Sequence, residues 1–161
     1  MKNLRTALLA GVLTAGVLIA PAASAAPHAP GAERNLVFKN VDTGNCLDRN
    51  VDNQAVASKC DGSASQQWSL LETDNKNGTV LLRNADNALC LHTGLALSDC
   101  RTDYLYNQWI LSRGDAEGKG LIGSLDYNGG GLLENAEGET LDLSQWDFSA
   151  HHHEWIQSYA D

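Results

Sequence analysis

With 20 acidic residues against 11 basic ones, this chain of 161 residues carries a formal charge of −9. That balance argues against a nucleic-acid binder, which needs a basic footprint on phosphate, and against anionic membrane surfaces. The acids are scattered, without a run of five or more, and so read as a solvated surface.

The first residues have the layout of an export signal. Lys2 and Arg5 give a positive start, Ala7 to Ala20 is uncharged and largely apolar, and Ala23-Ser24-Ala25 supplies the small-x-small cleavage pattern. The apolar run of about 14 residues is too short to span a ~30 Å hydrocarbon core as a membrane anchor. Residues 1–25 are therefore expected to be removed, leaving 136 residues (161 − 25), enough for one domain with its own core. Loss of Lys2 and Arg5 leaves 9 basic residues against 20 acids, a charge of −11. The expected product is a secreted acidic domain, with no membrane association after cleavage, and the alanine-rich signal points to bacterial export. Residues 26–34, Ala-Pro-His-Ala-Pro-Gly-Ala-Glu-Arg, lack periodicity and are expected to form a flexible leader.

From Leu36 onward the chain favours strands. Short apolar runs such as Leu36-Val37-Phe38, Ala55-Val56-Ala57, Thr79-Val80-Leu81-Leu82, Leu121-Ile122 and Trp155-Ile156 are punctuated by Asn, Asp and Gly. No window sustains a helical apolar stripe. Many short strands with frequent turn signals imply an all-β sandwich or barrel.

One element recurs. Ser65-Gln66-Gln67-Trp68 returns as Tyr106-Asn107-Gln108-Trp109 and as His152-His153-Glu154-Trp155, with the tryptophans 41 and 46 residues apart. Aligned on these tryptophans, Leu36–Asp42, Val80–Asp86 and Gly131–Glu137 each read as apolar residues followed by an Asn-x-Asp/Glu turn. Next come Gly44–Asp48, Ala88–His92 and, with a one-residue deletion, Gly138–Asp142. Three repeats of one supersecondary unit are thus expected, over about 35–75, 76–117 and 131–159. An insertion at about 114–130 is expected to be a loop or extra hairpin. Its glycines do not make a phosphate cradle, because no helix follows them.

Four cysteines in an exported chain point to disulfides, with three pairings open. The repeat favours the within-repeat bridges Cys46–Cys60 and Cys90–Cys100, each contributing at most about 3 kcal/mol. The third repeat has Thr140 at the first cysteine position, and Trp146 is the expected filler.

In these features the chain resembles the ricin B-type lectin family. The resemblance rests on Gly44-x-Cys46-Leu47-Asp48, Cys60 and Gln66-x-Trp68; on Cys90-Leu91, Cys100 and Asn107-x-Trp109; and on Gly138-x-Thr140-Leu141-Asp142 with His153-x-Trp155. It spans about residues 35–159 and implies a β-trefoil, with Trp68, Trp109 and Trp155 packed in its core. In that family a carboxylate two residues past the first cysteine accepts sugar hydroxyls. A stacking aromatic lies two before the second cysteine, and an Asn-Gln pair precedes the tryptophan.

The resemblance therefore implies Asp48, Gln66 and Asp142 as carbohydrate-binding residues. No repeat keeps the whole set. Repeat one has Ser58 for the aromatic and Ser65 for the asparagine, and repeat two has His92 for the carboxylate and Ser98 for the aromatic. Repeat three has His152-His153 for the amide pair. Trp146, Tyr127 and Tyr104 are candidates for a displaced ring.

Other chemistry is weaker. Three consecutive strand residues cannot all face one ion, so His151–His153 reads as a loop with fortuitous metal affinity, and no metal or other cofactor is expected. Asn77-Gly78-Thr79 matches a glycosylation acceptor and equally an ordinary turn. No nucleophile–base pair is visible, and no catalytic residues are expected. The expected function is non-catalytic binding of a glycan or polysaccharide, weak because one imperfect pocket lacks multivalent gain. The alternative is a protein-interaction module, an adaptor of a secreted lectin or toxin complex or a protease inhibitor, that kept the trefoil and lost its sugar chemistry.

Overall fold

The computed structural model describes residues 34–75, 77–112, 115–116, 118–125, 130–134, 140–144 and 153–160. The expected export segment 1–25, the leader up to residue 33, Tyr127, Trp146, His151 and His152 lie outside them.

Twelve strands follow one another along the described chain. They are β1 Leu36–Asn40, β2 Asn45–Arg49, β3 Ala55–Lys59, β4 Trp68–Glu72, β5 Val80–Asn84, β6 Cys90–Leu91, β7 Leu97–Ser98, β8 Trp109–Leu111, β9 Lys119–Ser124, β10 Gly131–Glu134, β11 Leu141–Ser144 and β12 Glu154–Tyr159. Single 3-10 turns, Ala64–Gln66 and Leu105–Asn107, lead into β4 and β8. Six strands close an antiparallel ring, each of β1, β4, β5, β8, β9 and β12 pairing with the next and β12 returning to β1. Closure leaves the barrel no open edge. The other six form the hairpins β2–β3, β6–β7 and β10–β11. Three four-strand units, each giving two strands to the barrel and one hairpin, make a β-trefoil.

Turn chemistry explains why each unit bends where it does. The Asn40 Oδ1 accepts from the backbone N–H of Asp42 and Thr43 at 3.0 and 3.2 Å, and the Asn84 Oδ1 accepts from Asp86 at 3.2 Å. These side-chain-capped turns are what asparagine does better than other residues. Gly44 completes the first turn at φ +76°, a left-handed conformation that glycine adopts without cost.

The core lies inside the barrel and under the hairpins. Phe38, Leu47, Leu82, Leu91, Ile122, Leu132 and the tryptophans Trp68, Trp109 and Trp155 are all fully buried. Each indole N–H donates to one backbone carbonyl: Trp68 to Leu47 at 3.1 Å, Trp109 to Leu91 at 2.9 Å, Trp155 to Leu132 at 3.1 Å. Large apolar area is thereby buried with its one polar atom satisfied. Cys46 is bonded to Cys60 and Cys90 to Cys100, with Cα atoms 5.1 and 5.0 Å apart, so each bridge ties a hairpin to its own unit.

The third unit departs from the sequence alignment. The three indole bonds make Leu132 the counterpart of Leu47 and Leu91. Strand register agrees, since Cys46 pairs with Lys39, Cys90 with Arg83 and Gly131 with Gly123. Gly131–Glu134 is therefore a second strand, not a first, and the first strand is β9, inside the segment expected to be an inserted loop or extra hairpin. Gly120 stands where the other units have Leu36 and Val80, opposite the unit's tryptophan. A Cβ at Gly120 would lie 2.8 Å from the Ser112 carbonyl oxygen, so that backbone contact requires glycine. The cost to the sequence reading is direct. Asp142 lies on the third strand, β11, opposite Leu133, and it is Leu133 that takes the position of Asp48.

Candidate functional site

In the first unit, β2 and β3 pair so that Asp48 and Ser58 project from the same face. The 3-10 turn before Trp68 swings Gln66 beneath them, where it is fully buried. Gln66 Nε2 donates to Asp48 Oδ2 at 3.1 Å, to Ser58 Oγ at 2.9 Å and to the Lys59 carbonyl at 2.9 Å, and its Oε1 accepts from the Asp61 N–H at 2.9 Å. The Ser58 hydroxyl donates to Asp48 Oδ2, and the Arg49 N–H reaches Asp48 Oδ1 at 2.6 Å. Both carboxylate oxygens are thus held by protein donors, and one in-plane acceptor direction remains, on Oδ1. Asp61, which caps the loop into this turn, has its carboxyl held below the usual range, first by the Ser63 N–H and then by the Ser63 hydroxyl. Ser58 also lines an open cleft of about 490 Å³, together with Asn45, Val56, Ala57, Lys59 and Thr140.

Equivalent positions in the second unit carry different chemistry. His92 takes the place of Asp48, its Nδ1 accepting the Gly94 N–H at 2.8 Å. Its ring stacks on Tyr106 with centroids 5.4 Å apart and planes 9° off parallel, and Tyr104 lies 4.9 Å from Tyr106 and 5.8 Å from His92. Asn107, in the place of Gln66, is fully buried with its amide turned inward to the Leu91 carbonyl and Ser98 Oγ, both at 3.4 Å. Tyr106 and Leu105 are 40% and 48% exposed, so the cluster forms a surface patch. Arg101 sits 5.2 Å over the Tyr104 ring and is ion-paired to Asp103 at 3.1 Å. Their hydrogen bond raises the Arg101 pKa and lowers that of Asp103.

The third unit has the apolar Leu133 at the carboxylate position and a buried His153 at the amide position. Asp142 is exposed beside Leu143 in a shallow depression with Thr93, Gly94 and Leu95.

Residues 28–98 match the family model described as ricin-type beta-trefoil lectin domain-like. The chain is a β-trefoil, and this part of it is similar to that family. No curated protein matches it by sequence. Among solved structures, this trefoil is similar to the GlcNAcα1-4Gal-releasing endo-β-galactosidase of Clostridium perfringens, at TM-score 0.67 and 14% identity over 80% of its own length. It spans only 33% of that enzyme's chain. SeviL, solved with asialo-GM1 saccharide, is similar at TM-score 0.64 and 16% identity, covering 80% of this chain and 98% of SeviL. A chain of the Haemophilus ducreyi cytolethal distending toxin gives 0.66 and 18%, over 80% of this chain and 85% of that one.

Of the residues the ricin-B-like pattern singled out, the trefoil brings Asp48 and Gln66 into direct contact and puts Asp142 on another strand, opposite Leu133. Sequence reasoning took Ser58 only as a missing aromatic, whereas it donates to Asp48. It also left His92 and Tyr106 unconnected. Their positions, two past Cys90 and three before Trp109, were the available signal that both face one site.

Proposed function

We propose that this trefoil is a secreted, non-catalytic carbohydrate-binding module whose contact lies in its first unit. The observation that carries the reading is the fixed Asp48 carboxylate, held by Ser58, Gln66 and the Arg49 N–H beside a cleft of saccharide size. A sugar hydroxyl needs a pre-positioned acceptor, and an acceptor that does not reorganise on binding loses less entropy. With one acceptor direction left and no ring at position 58, affinity is expected to be weak. Two disulfides support an extracellular location. A polysaccharide pull-down and glycan array with wild type and Asp48→Ala test the reading. Wild type should be retained on at least one glycan and the variant lost from it, with both melting cooperatively; equal retention of both on every glycan removes Asp48 from the site.

The His92–Tyr104–Tyr106 patch favours a second reading, a protein-interaction module, because tyrosine and arginine are the side chains that anchor protein interfaces. A stoichiometric partner recovered from culture supernatant with wild type and lost with Tyr106→Ala would favour it. Recovery of the free chain alone would count against it.

A further inference from the structure

In this strongly acidic chain, two ammonium groups have no acidic partner among the described residues: Lys59, which lines the cleft, and Lys39, on the strand next to β2. The ion pairs there are Arg49–Asp86 and Arg101–Asp103, and neither involves Lys39 or Lys59. Both lysines are exposed. Lys59 ends β3 opposite Asn45 and lines the cleft directly. Lys39 pairs with Cys46 on the neighbouring strand, and a Cβ at Gly44 would lie 3.6 Å from its Cε, so its stem passes over Gly44 beside Asn45.

We propose that this cleft takes an anionic saccharide, its carboxylate or sulfate met by Lys59 with Lys39 at the rim. This rests on the carbohydrate reading and specifies its ligand class. Val56 and Ala57 give apolar lining for the C–H face of a sugar ring, while Asn45, Ser58 and Thr140 supply partners for hydroxyls. An ammonium–carboxylate or ammonium–sulfate contact is about twice as strong as a neutral hydrogen bond. The surplus of acids over the rest of the chain disfavours an anion, and Lys59 supplies a positive charge without an acidic partner at this cleft. Both groups are solvated, so the attraction falls off with salt, over a Debye length of about 8 Å at physiological ionic strength.

Calorimetric titration of the disulfide-bonded chain with three oligosaccharides of equal length tests this: an oligogalacturonide, a sulfated galactan and a neutral galactan. At low salt at least one anionic oligomer should bind about tenfold more tightly than the neutral one, a difference of about 1.4 kcal/mol. High salt should shrink that preference. The double variant Lys39→Gln/Lys59→Gln should bring the ratio close to one, with the melting temperature unchanged. A preference for the uronate alone assigns a carboxylate, and for the sulfated oligomer alone a sulfate. Equal binding of neutral and anionic oligomers by wild type, or a preference that survives in the double variant, overturns the proposal while leaving the carbohydrate reading in place. Failure of wild type to bind any saccharide at all removes both.

Discussion

Every recorded hydrogen bond of the Gln66 side chain lies within the first unit. One buried amide joins the Asp61 backbone, Ser58, the Lys59 carbonyl and Asp48, so the same side chain shapes the loop before Trp68 and orients the carboxylate. Gln66→Leu would leave the Asp61 N–H and the Lys59 carbonyl without that partner, and a buried orphan of this kind costs about 1–3 kcal/mol. The predicted outcome is a lower denaturant midpoint and loss of glycan retention together; an unchanged midpoint would show that the network contributes nothing to the fold. At this scale the sequence was informative about Asp48 and Gln66, because both sit at fixed offsets from a cysteine or a tryptophan. It was silent on Ser58 as a donor, since a serine in place of an aromatic reads as a deletion of chemistry. Only the pairing of β2 with β3 puts its hydroxyl on Asp48.

At the scale of strands, the first two units could be read from the chain and the third could not. Leu36–Asn40 and Val80–Asn84 are locally distinctive, each ending in an asparagine whose side chain caps the following turn. In the third unit the same apolar-apolar-charged-Asn pattern occurs at Leu132–Asn135, and its described part, Leu132–Glu134, lies on the second strand rather than the first. The true first strand, β9, is written Lys-Gly-Leu-Ile-Gly-Ser, and its glycines imitate a loop. Long-range demands put them there: Gly120 packs against the Ser112 carbonyl, and Gly123 pairs with both Ile110 and Gly131. Such demands leave no local trace. Gly120→Ala should therefore destabilise the domain by about 1–3 kcal/mol, the usual cost of overpacking. Thermal melting checks it, and a variant as stable as wild type would mean that β9 shifts freely.

Over the whole molecule, pseudo-threefold architecture and binding chemistry have separated. The tryptophans and their carbonyl partners repeat in all three units, since each must bury an aromatic and satisfy one N–H. The positions above them do not repeat: a carboxylate, a stacked histidine and a leucine stand at Asp48, His92 and Leu133. The symmetry is kept by the core, where any loss exposes a cavity, and is relaxed at the surface, where substitution costs little. A module with one saccharide contact and one aromatic patch follows from that division. The most direct test is to titrate the labelled chain with the glycan it retains best and follow its backbone amides by NMR. Shifts concentrated at Asp48, at Val56–Lys59 and at Gln66 are predicted. Shifts centred on His92, Tyr104 and Tyr106, with the first unit unmoved, would contradict it.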